Sequence, residues 1–395
     1  MPHIPRSLFA NINNPCLTRN RSWQVCSPGE QEPAAMDKIA HIAYSITRSD
    51  LKDLIAALIY KQQEQGAEAE IIHVVRETDI AHVLKIRGIN VYTYTKAEGP
   101  DIRLMFKLGK FIRSHGFNIV HAHSPEIAVH AAIAAKIGRA KSIFSCHWLT
   151  AKPLSRYVRA LNNHIVATSE FVQRKLFKEK YLQDKKMKII YDGIDEQMYM
   201  QNFGINAENV NREKLGLQPD SFILGNTGAL VKEEDQASLL KAFRKLRAKG
   251  MNAELIFTGE GPLRKDLEKK AQLYKIADHV HFLSERLSRV EFLQLFDVLV
   301  HCAHKEAYPF TLLEAMASGT PVIATKIGAN AEVILERQTG YLVPCGFPER
   351  IDSAIMRLNA IKTLPKEMGV QSRLHVQKDF SISSMAARYL ELYHS

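Results

Sequence analysis

Two carboxylates stand eight positions apart in the run Glu306-Ala-Tyr-Pro-Phe-Thr-Leu-Leu-Glu314, which continues through Ala-Met-Ala-Ser-Gly319-Thr-Pro-Val-Ile323. The apolar residues Val298–Val300 just before them read as a strand. Pro309 suits the first turn of a helix, where its missing N–H would be unpaired anyway. The N–H groups of Phe310, Thr311 and Leu312 then point out of the helix start. With the helix dipole they make an anion site fit for a diphosphate. On that geometry Glu306 lies ahead of the phosphates, near a sugar. Glu314, about one turn into the helix, accepts from vicinal ribose hydroxyls. Two glutamates at this spacing are ordinarily a solvated surface pair; the buried strand before them and the small-residue helix end after them favour the site.

The elements that must position these residues follow from the alternation of short apolar runs with longer helical patterns. Strands are expected at Ile39–Ser45, Glu70–Val75, Val91–Tyr94, Asn118–His121, Ser142–Ser145 and Ile165–Ala167, with helices between them, including a short one near Ile80–Ile86. The pattern restarts with strands at Phe222–Asn226, Ala253–Thr258, His279–Leu283, Val298–Val300 and Pro321–Ala324. Such alternation implies parallel sheets with helices on both faces. The fold class expected is α/β, with two doubly wound Rossmann-like domains facing each other across a cleft. Ligands in such folds sit at the carboxyl ends of the strands. Residues 1–35 read as a disordered extension or an upstream translation start. Residues 36–195 form the first domain, 196–218 a linker, 219–375 the second domain, and 376–395 a helix packing back on the first.

Length and composition agree. At 395 residues the chain is too long for one ordinary core. It is 46% hydrophobic and 24% charged, and no stretch approaches the ~20 apolar residues of a membrane helix. Residues 1–195 hold 28 of the 53 Lys and Arg but 18 of the 42 Asp and Glu, a surplus of ten against one in the remainder. Clusters at Arg174, Lys175, Lys178 and Lys180, and at Lys185, Lys186 and Lys188, fit either a solvated helix face or a surface for anionic lipid. No aromatic-interleaved basic motif points to nucleic acid. Five scattered cysteines fit a reducing compartment rather than a disulfide framework. The run His301-Cys302-Ala303-His304 reads as a strand end with incidental polar residues rather than a zinc site.

The chain resembles glycosyltransferase family 4, the retaining nucleotide-sugar enzymes of GT-B architecture. The resemblance rests on the Glu306–Glu314 motif with its trailing Glu-Ala-Met-Ala-Ser-Gly-Thr-Pro-Val. It also rests on Thr258-Gly-Glu-Gly-Pro262, Ala324-Thr-Lys-Ile-Gly328, Glu332 and Thr339-Gly340. In the first half it covers Val120-His-Ala-His-Ser124, His147, Ser169-Glu170 and Asp192-Gly-Ile-Asp195. It implies that Glu306 contacts the donor sugar and that Glu314 binds the ribose. Gly228, Gly259 and Gly261 let backbone approach the nucleotide, and His147 serves as an active-site histidine at the cleft. His121 and His123 read as structural or acceptor-side. The implied partners are a nucleotide-sugar donor, UDP before GDP, and a glycan or lipid-linked acceptor at the inner face of a membrane. No cofactor or essential metal is implied.

The sequence departs from this family on its cationic side. Where the family reads Gly-Arg-Leu-Val-x-Glu-Lys-Gly, this chain reads Gly228-Ala-Leu-Val-Lys-Glu-Glu-Asp235. Ala229 and Glu234 occupy the positions of both expected phosphate cations. Lys232 is the nearest substitute and Arg264 a second. A catalytically weakened binding or regulatory subunit and a nucleotide-sugar epimerase are the rival readings. A dinucleotide dehydrogenase fails, because no Gly-x-Gly-x-x-Gly follows the first strand.

Overall fold

The computed structural model describes residues 16–17, 23–24, 36–44, 49–75, 88–148, 156–176, 184–200, 212, 215–218, 220–283, 288–306 and 308–395. Two parallel sheets organise them. The first comprises β1 (Lys38–Tyr44), β2 (Glu68–Val75), β3 (Val91–Thr95), β4 (Ile119–Ala122), β5 (Lys141–Cys146), β6 (His164–Ala167) and β7 (Met187–Ile189), in the order β3-β2-β1-β4-β5-β6-β7. The second comprises β8 (Phe222–Asn226), β9 (Ala253–Phe257), β10 (Val280–Phe282), β11 (Val298–His301), β12 (Val322–Thr325) and β13 (Gly340–Val343), in the order β10-β9-β8-β11-β12-β13. Both reverse strand order beside their first strand, which opens a crevice at the carboxyl edge of each sheet.

The two central strands show why these segments become strands. Residues Ile39 to Ala43 of β1 and Ile223 to Asn226 of β8 are buried throughout. A strand covered by helices on both faces must be apolar on both, so it reads as a continuous run rather than an alternation. The strands β1–β6 and β8–β12 fall on the segments expected from the sequence, but β7 and β13 were not anticipated. β7 is short, lies on an edge and carries Lys188 at its middle; β13 begins at Gly340. Edge strands need less apolar length and tolerate lysine, which also discourages edge-to-edge pairing. The short helix expected near Ile80–Ile86 lies outside the described residues. The first 35 residues do so for the most part as well, although Cys16–Leu17 pairs antiparallel with Trp23–Gln24.

The chain leaves the first sheet, crosses to the second, and returns at its end. Ile194 and Ser381 pair at the crossing, where the Ile194 N–H donates to the Phe380 carbonyl and the Ile382 N–H to the Ile194 carbonyl. The helix Ile382–His394 then buries Ile382, Met385, Ala386, Tyr389, Leu392 and Tyr393 in the core beneath the first sheet. Its apolar face therefore completes a core begun some 340 residues earlier in the chain.

Tyr389 and Tyr393 also supply hydroxyls to a buried histidine cluster. His121 meets Tyr393 Oη at 2.7 Å and Ser145 Oγ at 2.7 Å, and Ser145 meets Tyr389 Oη at 2.7 Å. Burial pushes the His41 imidazole down to about 4 and drives His121 and His123 well below their ordinary range, with neighbouring imidazoles adding to the effect on both. Unfolded chains protonate such rings as pH falls below about 6.5. The folded chain does not do so at His41 until about pH 4. Stability is therefore fully present above pH 6.5 and lost as pH falls toward 4, by about 3 kcal/mol for His41 alone. The urea midpoint is expected to drop between pH 7.5 and 5, and His41→Gln to make that drop shallower; a midpoint flat over this range contradicts the account.

Candidate active site

Parallel strands bring the chemistry-bearing loops of the second sheet to one edge. Gly228 follows β8 with φ 150°. Gly259 follows β9, where an added Cβ would lie 1.6 Å from the Gly228 carbonyl oxygen; at Gly261 it would lie 2.5 Å from the Leu230 carbonyl oxygen. The Leu230 N–H donates to the Glu260 carbonyl at 3.0 Å. These glycines therefore let two loops of the protein lie against each other, so the close approach they permit here is one of protein backbone to protein backbone. Gly328 plays the same part under the Glu306 backbone, 1.9 Å from a hypothetical Cβ.

The helix Phe310–Ser318 starts one residue later than expected, with Pro309 as its N-cap rather than in its first turn. The Phe310 N–H donates to the Tyr308 carbonyl and the Leu312 N–H to the Pro309 carbonyl, at 3.2 and 3.1 Å. Two of the three N–H groups expected to face an anion are thus taken up in a tight turn. A side chain that sequence reading missed stands there instead. Arg289, at the start of the helix Arg289–Leu295, pairs with Glu314 and donates to Thr311 Oγ1 at 3.0 Å. Burial, with the charge of Glu314 and a hydrogen bond to it adding, holds the Tyr199 phenol far above the usual range. Nothing in the spacing of residues 199, 289 and 314 announces that they meet.

Glu306 stands after β11 and accepts from His301 Nε2 at 3.1 Å. The other ring nitrogen of His301, Nδ1, faces Glu234 Oε2 at 3.7 Å. His301 is thus not an incidental strand-end residue: it is buried between the two carboxylates. Burial chiefly, and repulsion from Glu306 and Glu233, raise the Glu234 carboxyl above its ordinary value, against the lowering by His301. Lys232, the expected substitute cation, is exposed and its ammonium has no partner among the described residues, while Glu234 turns inward over Gly228. Arg264 is occupied by Glu260 and by Glu268 at 3.1 Å, and it lies over the Phe282 ring. The neighbouring His304 turns elsewhere, to Cys345 and to Asp235.

His147 follows β5 and lies in the first domain's interior. Its Nδ1 donates to both oxygens of Asp192, at 2.8 and 2.9 Å, and its Nε2 meets His123 Nδ1 at 3.0 Å. The row continues from His123 to His41 and on to Gln62 Oε1, both at 2.8 Å. Both ring nitrogens of His147 are engaged, so reaching a sugar requires it to release His123. The ring nitrogens of His41, His121 and His123 come close enough together to suggest a metal set. Each of them already faces a hydrogen-bond partner, however, which leaves no lone pair for an ion. His121 and His123 are wholly buried in this arrangement.

The two domains meet through these same loops. The Tyr308 hydroxyl, two residues after Glu306, donates to the Asp192 carbonyl. Glu332 reaches from the second domain to accept from the Glu170 and Phe171 N–H groups, both at 2.8 Å, and from the Tyr191 hydroxyl at 3.1 Å. A carboxylate at free helix N–H groups is favourable both as a cap and toward the helix dipole.

Two facing doubly wound domains, with a carboxylate-flanked helix start at the carboxyl edge of the second, define a GT-B glycosyltransferase. The family model "Glycosyltransferase Family 4" matches residues 54–198, and "Glycosyl transferases group 1" matches residues 207–375. This chain belongs to glycosyltransferase family 4 and is a transferase. The N-acetyl-alpha-D-glucosaminyl L-malate synthase of Bacillus anthracis is 26% identical over 321 residues, 78% of this chain and 82% of that protein. The capsular polysaccharide biosynthesis glycosyltransferase CapM of Staphylococcus aureus is 24% identical over 319 residues, 77% and 82%. The crystal structure of Anabaena Alr3699/HepE in complex with UDP superimposes with a TM-score of 0.76 at 18% identity, covering 90% of this chain and 99% of that one. Among the described residues, no helix is long and apolar enough to cross a membrane.

Glu332→Ala removes three hydrogen bonds to one carboxylate that join the domains. It is expected to cost about 1–2 kcal/mol and to raise the radius of gyration in small-angle scattering. Unchanged scattering and an unchanged melting temperature would show that Glu332 does not hold the domains together.

Proposed function

We propose that this glycosyltransferase moves a sugar from a nucleoside-diphosphate donor, UDP in preference to GDP, to a glycan or lipid-linked acceptor. Transfer retains the anomeric configuration and serves the making of a cell-surface polysaccharide such as lipopolysaccharide or capsule. One observation carries the reading: Glu306 and Glu314 flank the start of the helix Phe310–Ser318 at the carboxyl edge of the second sheet, with Arg289 beside them. The UDP bound by the Anabaena neighbour and the capsular role named for the Staphylococcus relative support the donor and the pathway class.

In this reading Glu306 holds the donor sugar through the carboxylate oxygen not committed to His301. Ribose hydroxyls displace Arg289 from Glu314, and the freed guanidinium turns to the diphosphate. The departing diphosphate takes the acceptor's proton while attack proceeds on the same face, so no protein nucleophile is needed. The chain supplies orientation, exclusion of water and charge at the phosphates. His147, held by Asp192 in the first domain, reaches the sugar only on releasing His123. The exposed Arg174, Lys175, Lys185 and Lys188 give that domain a surface for anionic lipid at the inner face of a membrane. Ala229 and Glu234 favour a second reading, in which nucleotide binds with little turnover.

Calorimetric titration with UDP and GDP separates these readings. Glu314→Ala and Arg289→Ala are each expected to weaken UDP binding at least tenfold, about 1.4 kcal/mol. If neither nucleotide binds the wild-type chain, the donor assignment is wrong. Binding without transfer or hydrolysis of any donor sugar selects the second reading. Salt-sensitive retention on anionic vesicles is expected as well, and equal retention on neutral vesicles would refute the electrostatic docking.

A further inference from the structure

We propose that Cys345, His304 and Asp235 act as nucleophile, base and orienting carboxylate, and that the Cys345 thiol exchanges with small aliphatic disulfides to give a mixed disulfide. His304 stands just after β11, Cys345 just after β13, and Asp235 at the cap of the helix Gln236–Ala248. His304 Nδ1 meets Cys345 Sγ at 2.6 Å, and its Nε2 meets Asp235 Oδ2 at 3.2 Å. Asp235 is itself fixed by the Ser238 N–H, which donates to its Oδ1 at 3.3 Å. A thiol in reach of an imidazole whose other nitrogen is held by a carboxylate is the arrangement that activates a nucleophile. Where the family motif ends in glycine, this chain has Asp235, and Asp235 keeps the left-handed backbone, with φ 46°. A side chain retained in a conformation that glycine adopts freely points to a use for that side chain.

A carboxylate only accepts, so the Nε2 facing Asp235 carries a hydrogen. The proton shared by Cys345 and His304 lies on sulfur or on Nδ1, and these are the two ends of the transfer that exchange requires. Burial, with the Asp235 charge adding, raises the Cys345 thiol above its ordinary value. The thiol therefore gains its nucleophilicity by passing the proton to His304 as it attacks, and Asp235 stabilises the imidazolium so formed. The Cys345 sulfur bonds to one sulfur of the disulfide, the disulfide bond breaks, and the departing thiolate takes the proton from His304. No oxidant other than the disulfide is consumed, and excess small thiol runs the exchange backwards. Cys345 is half-buried and the His304 side chain is 43% exposed, so a small reagent reaches them. Cys146 and Cys302 are buried; burial pushes the Cys146 thiol up to about 12 and raises Cys302 far above the thiol range. The His304 N–H also donates to the Glu233 carbonyl at 2.7 Å, so backbone and imidazole together anchor the turn Lys232–Glu234. An adduct on Cys345 takes the place of its contact with His304 and loosens that turn, which carries Glu234 toward His301.

The test is exchange of the full chain with bis(2-hydroxyethyl) disulfide at pH 7, with each cysteine followed by mass spectrometry. Mixed disulfide is expected at Cys345 at least tenfold faster than at the cysteine of a short unstructured peptide. His304→Gln is expected to bring the rate down to that of the peptide or below, and Asp235→Asn to lower it severalfold. The gap between the wild type and His304→Gln should narrow as pH rises to 10, where hydroxide removes the thiol proton unaided. A Cys345 rate no greater than the peptide's, or one unchanged in His304→Gln, overturns the proposal. A gap constant with pH would show that His304 acts only through packing, which overturns its role as base. The effect on the turn rests on the nucleotide-sugar reading above. UDP is expected to bind the modified chain at least fivefold more weakly than the reduced chain, and Cys345→Ser given the same treatment to bind unchanged. Equal affinity before and after modification refutes the coupling to the turn. If the reduced chain binds neither UDP nor GDP, the nucleotide-sugar reading falls, while the exchange rates still decide the assignment of Cys345.

Discussion

Carboxylates drawn out of water govern the arrangement of this molecule, because each must find donors in a low-dielectric surrounding or lose its charge. Asp192 is wholly buried and is met by His147; Glu332 is met by a helix start and a tyrosine of the other domain. Glu314 is met by Arg289 and Tyr199, and Glu306 by His301. In each case donor and acceptor come from different elements. Satisfying them therefore fixes how the strands' carboxyl ends, the crossing at Ile194 and Ser381, and the two domains sit against each other.

Glu234 is the exception, and it explains the character of the site. Its carboxyl turns inward beside Glu306 and His301, and burial chiefly raises it above its ordinary value. Glu234 and Glu306 thus share one imidazole between them, that of His301. Arg289 balances Glu314 within the helix Phe310–Ser318, and Lys232 remains at the surface. The site is therefore acidic at one end and paired at the other, an asymmetry that the distribution of charge along the chain does not disclose.

Much of the fold was legible because its signals are local and redundant. Largely apolar runs such as Ile39 to Ala43 and Ile223 to Asn226 read as buried strands when helical patterns flank them. The short edge strands Met187–Ile189 and Gly340–Val343 carry too little apolar length for such a signal. The site was legible where motif residues are adjacent in sequence, as with Glu306, Pro309 and Glu314. It was illegible where partners lie far apart, as with Arg289 and Glu314, Glu332 and Glu170, or Gln62 and the histidine row.

Residue order by itself determined the alternation of strands and helices, the family, and the presence of two carboxylates about a helix start. Those properties depend on local periodicity and on side chains within a few residues of one another. Only the tertiary structure decided that Pro309 caps the helix, that His147 is bound on both nitrogens, and that His301 stands between Glu234 and Glu306. Hydrogen bonds and charge pairs act over a few ångströms in space, and the parallel sheets bring together residues that the chain keeps tens to hundreds of positions apart.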